Sequence, residues 1–347
     1  MRNKTMDIML ALGIIFVVMG HSYQPPVLRP WAYTFQVALF FFISGYFFVA
    51  QDSIRAKGLW TAKKFRHLLI PYFIFNLFFC LLTMILANYG LNPKGDASWF
   101  GFFIRPFLDG HQYPLFLAAW FVPQLFLVHI LAQWLIPRNR RPALFILLAV
   151  SSVIAFLFFY LPGEPSGPTL VFFRSAFALS VYLWGAVFKI YEEAARSFLV
   201  SPFWLLAVYS CYLVLELLQG DFSYSLVFLQ FNGGPAITFL GTFSAILLIY
   251  ISSDYLARFL RPDNFVYQIG RHTFSIMSLH LLVFWLINLA LLVFGSVPIS
   301  VLSRRLIFLA QPQLWWVYLG LGVVLPVLSA VAYEKVSHEF IFKSKNI

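Results

Sequence analysis

Two ionisable side chains stand at opposite ends of the first apolar run, Asp7 and His21. They lie roughly 21 Å apart at about 1.5 Å per helical residue, and about 100° per residue returns them to nearly one face. Charged or titratable groups in a membrane-spanning helix are functional candidates by default. An imidazole titrates near about 6.5, so His21 can take a proton from a hydroxyl and return one, as general-base acyl transfer requires. A carboxylate would orient the ring, but the sequence does not single one out. Asp7 also suits a plain role at the helix N-terminus, where the macrodipole favours an anion. His21 likewise suits an interfacial histidine bonded to a nearby carbonyl.

Further along, Ser44 and Gly45 make a small-residue notch among aromatics (Phe40-Phe41-Phe42-Ile43-Ser44-Gly45-Tyr46). Such a notch admits another backbone or a slender ligand. The run Lys63-Lys64-Phe65-Arg66-His67-Leu68-Leu69-Ile70-Pro71-Tyr72 follows Arg55 and Lys57. It gathers cationic groups at one membrane edge, where a guanidinium such as Arg66 can grip a phosphate with two bonds. Arg174 opens a later helix, where a carboxylate (Glu216 is one choice) or a developing oxyanion would partner it. His280 falls mid-membrane, as a structural group or as part of a polar tunnel. His129, Gln124, Asn76 and Asn288 read as interhelical hydrogen bonders. The 90–113 loop offers Asn92, Asp96, Trp99, Arg105, Asp109, His111 and Gln112, either for an acceptor or for solvent.

The elements that must position these groups are membrane helices. Hydrophobic residues make up 61% of the 347-residue chain and charged residues 11%, far from a soluble domain. Ten segments reach spanning length, near 7–23, 33–50, 67–89, 114–136, 143–162, 169–190, 202–219, 235–252, 272–295 and 314–333. The predicted fold is an all-α polytopic membrane protein of about ten transmembrane helices in a single domain, 1–347. With the N-terminus inside, 18 of the 24 Lys and Arg residues fall on the inner side and 6 on the outer. That bias predicts cytoplasmic N- and C-termini. It also explains the net charge of +11 through topology, with no nucleic-acid partner. The segment 254–270 is expected along the inner surface. No cleavage site follows the first run, which reads as an uncleaved helix. Cys80 and Cys211 read as core residues, no metal site is expected, and no repeat marks a duplicated transporter.

The order of these pieces resembles the acyltransferase 3 family of bacterial membrane acyltransferases, especially the branch similar to fucose 4-O-acetylases. Asp7 with Gly20-His21, Phe41 to Phe47, and Arg66 with Pro71-Tyr72 carry the first part of the likeness. Trp120-Phe121-Val122-Pro123, Arg174 with Gly185, and Ile269-Gly270 with Ser275 and Leu279-His280 carry the rest. The resemblance implies an O-acyltransferase, in the first instance an O-acetyltransferase, of the bacterial inner (cytoplasmic) membrane. It would move an acyl group from cytoplasmic acyl-CoA, most simply acetyl-CoA, to a hydroxyl of a cell-surface polysaccharide or lipid-linked glycan. His21 would be the essential histidine, with Asp7 and Arg174 in the catalytic set. Arg66, Lys63, Tyr72, Ser44 and Gly45 would serve the donor, and Trp120, Ser275 and His280 the acceptor. No tightly bound cofactor is implied, acyl-CoA being a co-substrate. Leu10 departs from the pattern, since many members carry Arg or Lys eleven residues before the histidine. Ten helices with buried polar groups also fit a transporter of a glycan precursor or small acid.

Overall fold

The computed structural model describes residues 3–22, 33–91, 95–110, 113–138, 141–161, 163, 165–199, 201–219, 223–302 and 311–344. It is an all-α polytopic membrane protein. Apolar runs without charge interruption become helices because, in a bilayer, a backbone must satisfy its own hydrogen bonds. Ten principal helices are α1 (Lys4–His21), α2 (Gln36–Tyr46), α3 (Ile54–Asn88), α4 (Pro114–Leu135), α5 (Arg141–Leu157), α6 (Gly167–Leu199), α7 (Pro202–Gln219), α8 (Pro235–Phe259), α9 (Thr273–Val293) and α10 (Trp315–Ser344). Among the described residues, eight helices are long and apolar enough to cross a membrane, all of these except α2 and α7. Within the expected 33–50 span the main helix is the 11-residue α2, set off from residues 33–34 by a bend at Phe35.

Several boundaries differ from the sequence reading for identifiable reasons. The basic segment before residue 67, outside the expected 67–89 span, is helical from Ile54. Ser53 caps it by accepting from the Ala56 N–H at 3.1 Å, and it continues into the span through a π-helical turn at Phe65–Leu69. Its Lys, Arg and Ala residues are good helix formers, and hydropathy alone misses that propensity. The 254–270 segment does not lie wholly along a surface. α8 runs on to Phe259, and a short helix, Phe265–Arg271, buries Tyr267, Ile269 and Gly270. Gly270 meets the Asp7 backbone so closely that a Cβ there would strike the Asp7 carbonyl.

Two apolar clusters hold the molecule. One joins α2, α6 and α8 with the N-terminal half of α1; the other joins the rest of α1 to α3, α4, α9 and α10. The α2–α6 contact is the closest. Gly45 lies against the Tyr182 carbonyl and Gly185 against the Phe42 carbonyl, each where a Cβ would clash. On α3, Ile74, Leu77, Phe78, Leu81 and Met84 remain exposed, as a lipid-facing stripe should.

Candidate functional site

α1 positions His21. Asn3 caps the helix, its side chain accepting the Met6 N–H at 3.2 Å, so Asp7 is not the capping residue. Asp7 sits inside the first turn, 5% exposed, beneath Gly270. At the other end, the His21 Nδ1 lies 2.9 Å from the Val17 carbonyl. A carbonyl only accepts, so Nδ1 carries the proton and Nε2 keeps its lone pair. The expected carboxylate orienter is thus replaced by a backbone oxygen one turn down the same helix.

His21 opens into a cavity of about 610 Å³. Tyr33, Gln36, Trp120, Arg105, Asp109 and the Tyr224–Phe228 segment line it with Gly20 and His21. Part of its wall is a two-stranded hairpin, Tyr224–Ser225 against Gln230–Phe231. The hairpin turn holds Leu229 at φ 54°, a left-handed conformation uncommon outside glycine. Arg105 bonds Asp109 through Nε at 3.0 Å and Asp96 through Nη1 at 3.3 Å. Asp96 is held below the ordinary carboxylate value, chiefly by the Ser98 hydroxyl, with the Arg105 guanidinium adding to it. Of the loop residues singled out above, Asp109 and Arg105 therefore reach the cavity, while Asn92, His111 and Gln112 lie outside the described residues.

A second cavity, about 200 Å³, runs from there toward the Asp7 end. α1 contributes Leu10, Ile14 and Val17, α2 contributes Val37, Phe40 and Ser44, and α9 contributes Thr273, Phe274 and Met277. Leu68, Ala118, Phe121, Val122 and Leu125 close the remaining side. Val37 lines both cavities, so the slot and the His21 cavity adjoin. Apart from the hydroxyls of Ser44 and Thr273, the slot is lined by apolar side chains. Leu10, where the family pattern puts a basic residue, faces into it.

The other sequence-chosen residues divide between these cavities and the packing around them. Trp120 lines the large cavity, and Arg174 lies on its far side, 5.2 Å from the ring. Arg174 is 1% exposed and pairs with no carboxylate by hydrogen bond among the described residues. It donates to Gln124 Oε1 at 2.9 Å and to the carbonyls of Val227 at 3.1 Å and Leu108 at 2.5 Å. The side chain of Glu216 is outside the described residues. Arg174 thus ties the hairpin and the Arg105–Leu108 helix to α4 and α6, fixing two walls of the cavity. The notch splits: Ser44 faces the slot, while Gly45 admits the α6 backbone. Tyr72 packs against Phe73 and Phe116 in the core, and Ser275, half-buried, lines neither cavity.

Lys63 and Arg66 are exposed on α3, away from both cavities. Their neighbour Lys64 is the one drawn inward. Its Nζ is 3.2 Å from His129 Nε2 and 5.2 Å from the Trp60 ring centre. His129 Nδ1 is 3.0 Å from the Tyr182 hydroxyl, so the expected interhelical hydrogen bonder does bridge helices. Asn288 does so as well, accepting from Tyr318. Sequence reasoning missed Gln36 and Tyr33, whose only signal was their place beside the second apolar run. Tyr33 donates its hydroxyl to the Gly20 carbonyl, closing the cavity next to His21.

A half-buried, tautomer-fixed histidine thus lines a mixed polar cavity that adjoins an apolar slot. Comparison with known proteins gives the family. The sequence matches the acyltransferase 3 family, an acyltransferase domain, over residues 3–334. The chain belongs to this family. It is a membrane acyltransferase, a multi-pass protein that needs a lipid bilayer and an acceptor substrate. No match was found among curated proteins or solved structures. For an acyltransferase, the useful feature of the geometry is that the slot adjoins, through Val37, the large cavity that His21 lines.

Proposed function

We propose that this acyltransferase moves an acyl group, most simply acetyl, from cytoplasmic acyl-CoA to a hydroxyl of a cell-surface polysaccharide or lipid-linked glycan, as in the fucose 4-O-acetylase-like branch. The observation that carries this reading is His21 in the wall of the large cavity, which adjoins the slot through Val37, with its Nδ1–H held by Val17 and its Nε2 left as the basic nitrogen. The large cavity suits a sugar: Trp120 offers an aromatic face, and Asp109, Arg105 and Gln36 offer hydrogen bonds. The slot suits the thin arm of the donor. Lys63, Lys64 and Arg66 mark the Asp7 end of the bundle as the side for the donor's phosphates, in keeping with a cytoplasmic N-terminus in a bacterial inner membrane. A donor arm that reaches through the slot lets the coenzyme stay on its own side.

In the chemical step, the acceptor hydroxyl oxygen attacks the thioester carbonyl while His21 Nε2 takes its proton. The carbon–sulfur bond then breaks, and the proton passes to sulfur, releasing an O-acyl glycan and a free thiol. Arg174 acts as a positioning residue: its donors already serve Gln124 and the wall carbonyls. The test is transfer of label from radiolabelled acetyl-CoA into glycan, using purified protein and membranes holding the native glycan lipids. His21→Ala should lower transfer by at least ~10²-fold while the protein remains folded. Equal rates for wild type and variant would remove the base from this mechanism.

A further inference from the structure

Acyl transfer to a hydroxyl passes through a tetrahedral centre whose oxygen gains negative charge, and donors fixed in advance stabilise it most. Near His21, several candidate donors are committed elsewhere. Tyr33 gives its hydroxyl to the Gly20 carbonyl, and Arg105 is held by Asp109 and Asp96. Arg174 serves Gln124 and backbone carbonyls. Gln36 is in a different position. It is 9% exposed and lines the large cavity with His21, and among the described residues its side-chain amide has no hydrogen-bond partner. A polar group so buried and unpaired calls for an explanation. Gln36 is also the first residue of α2, whose N-terminus has no side-chain cap. The helical ladder begins with the Leu39 N–H on the Phe35 carbonyl at 2.8 Å, so the N–H groups of Val37 and Ala38 stand before it. No acidic residue lies in that first turn to offset the positive end of the helix dipole. Two contacts fix this helix start to α1: Tyr33 on Gly20, and Phe35 against Phe16 with ring centres 5.2 Å apart. Val37, next in the chain, lines both the large cavity and the slot.

We infer that the start of α2 is the oxyanion site of this acyltransferase, with the Gln36 side-chain amide as its donor and a catalytic residue. This rests on the acyl-transfer reading above and adds to it the group that meets the developing charge. As the acceptor oxygen bonds to the thioester carbon and His21 Nε2 takes its proton, the carbonyl π pair moves onto oxygen. Gln36 Nε2–H donates to that oxygen, and the positive end of α2 adds its field. The pair then returns to reform the carbonyl, the carbon–sulfur bond breaks, and the proton held by His21 passes to sulfur. An amide N–H binds a full negative charge more strongly than a neutral thioester oxygen, so the contact lowers the barrier more than it tightens binding. The place is apt, because Gln36 precedes the residue at which the donor's slot meets the acceptor's cavity. The Gln36 carbonyl oxygen stays available to an acceptor hydroxyl.

The experiment measures kcat and both KM values for purified wild type, Gln36→Met and Gln36→Glu, each verified as folded by size exclusion and thermal unfolding. Radiolabelled acetyl-CoA is the donor, and membranes holding the native glycan lipids supply the acceptor. Gln36→Met keeps the length of the side chain and removes its donors; it should lower kcat by ~10²-fold and leave each KM within ~3-fold of wild type. Gln36→Glu keeps the shape but places an anion against the oxyanion at alkaline pH, so it should be slower than Gln36→Met. Wild-type kcat in Gln36→Met overturns the inference. A raised acceptor KM with kcat retained overturns it as well, by assigning the amide to sugar binding. Gln36→Glu faster than Gln36→Met also overturns it, since a side chain that only packs or stays polar would favour that order. If wild type transfers no label, the acyl-transfer reading fails and this inference with it; full wild-type transfer with unaffected variants defeats this inference alone.

Discussion

The two seams that flank α2 are built in opposite ways. On one side, α2 and α6 close backbone to backbone, with Gly45 on the Tyr182 carbonyl and Gly185 on the Phe42 carbonyl. On the other, a slot of about 200 Å³ is left between α2 and residues of α1, α4 and α9. Adjacent residues of one motif serve the two seams, Gly45 the closed one and Ser44 the open one. Close helix packing in a membrane depends on small residues, whereas an open seam persists only where larger side chains meet at their tips. The contrast shows that rigidity on one side of α2 holds the geometry of a passage on the other.

That contrast can be broken most severely at the closed seam. Gly185→Leu should prevent recovery of folded protein, because the new side chain meets the Phe42 carbonyl with no room to turn. Gly45→Ala should cost about 3 kcal/mol, read as a lowered thermal midpoint in detergent. If Gly45→Ala unfolds like wild type, the seam is looser than described. The open seam should respond through activity instead. Met277→Trp fills the slot and should cut kcat/KM for the acyl donor by ~10-fold or more, with a near-normal thermal midpoint. A filled slot with full turnover would separate the passage from donor binding.

Away from both seams the effects should shrink. Arg174→Met removes donors from the Val227 and Leu108 carbonyls and should destabilise by about 1–3 kcal/mol. As a positioning residue it should raise the acceptor KM more than it lowers kcat, and a pure kcat loss would point to direct contact with the reacting atoms. Arg66→Ala should have the smallest effect, a rise of roughly 2- to 5-fold in the acyl-CoA KM, as expected of an exposed charge screened by solvent. Titrating salt provides the check, because the wild-type advantage should fade as ionic strength rises.

The sequence singled out His21 as a titratable group at the end of an apolar helix, suited to a base or to a histidine bonded to a carbonyl. The structure shows the carbonyl bond, to Val17, and places the ring in the wall of the large cavity. The sequence also singled out Trp120, and left Arg105 and Asp109 open between an acceptor and solvent; all three line the large cavity. For Arg174 it offered a carboxylate or an oxyanion; among the described residues the structure supplies the Gln124 amide and backbone carbonyls. Those carbonyls belong to a hairpin and a short helix far away in the chain, so no local pattern could announce them. Lys64 was hidden for a similar reason. Within a run of basic residues, only the rotation of α3 decides which side chain turns toward His129.

Composition and apolar run length alone determined the class of this protein, because a bilayer leaves a chain with 61% hydrophobic residues and widely spaced charges few alternatives to a helical bundle. The order of short motifs determined its family. Tertiary structure alone decided that Ser44 and Gly45 face different neighbours, that His21 and His280 stand together, and that a slot adjoins the cavity His21 lines. Those are facts about helix rotation and separation, set by side-chain volumes summed over several helices, and no single helix carries that sum in its own sequence.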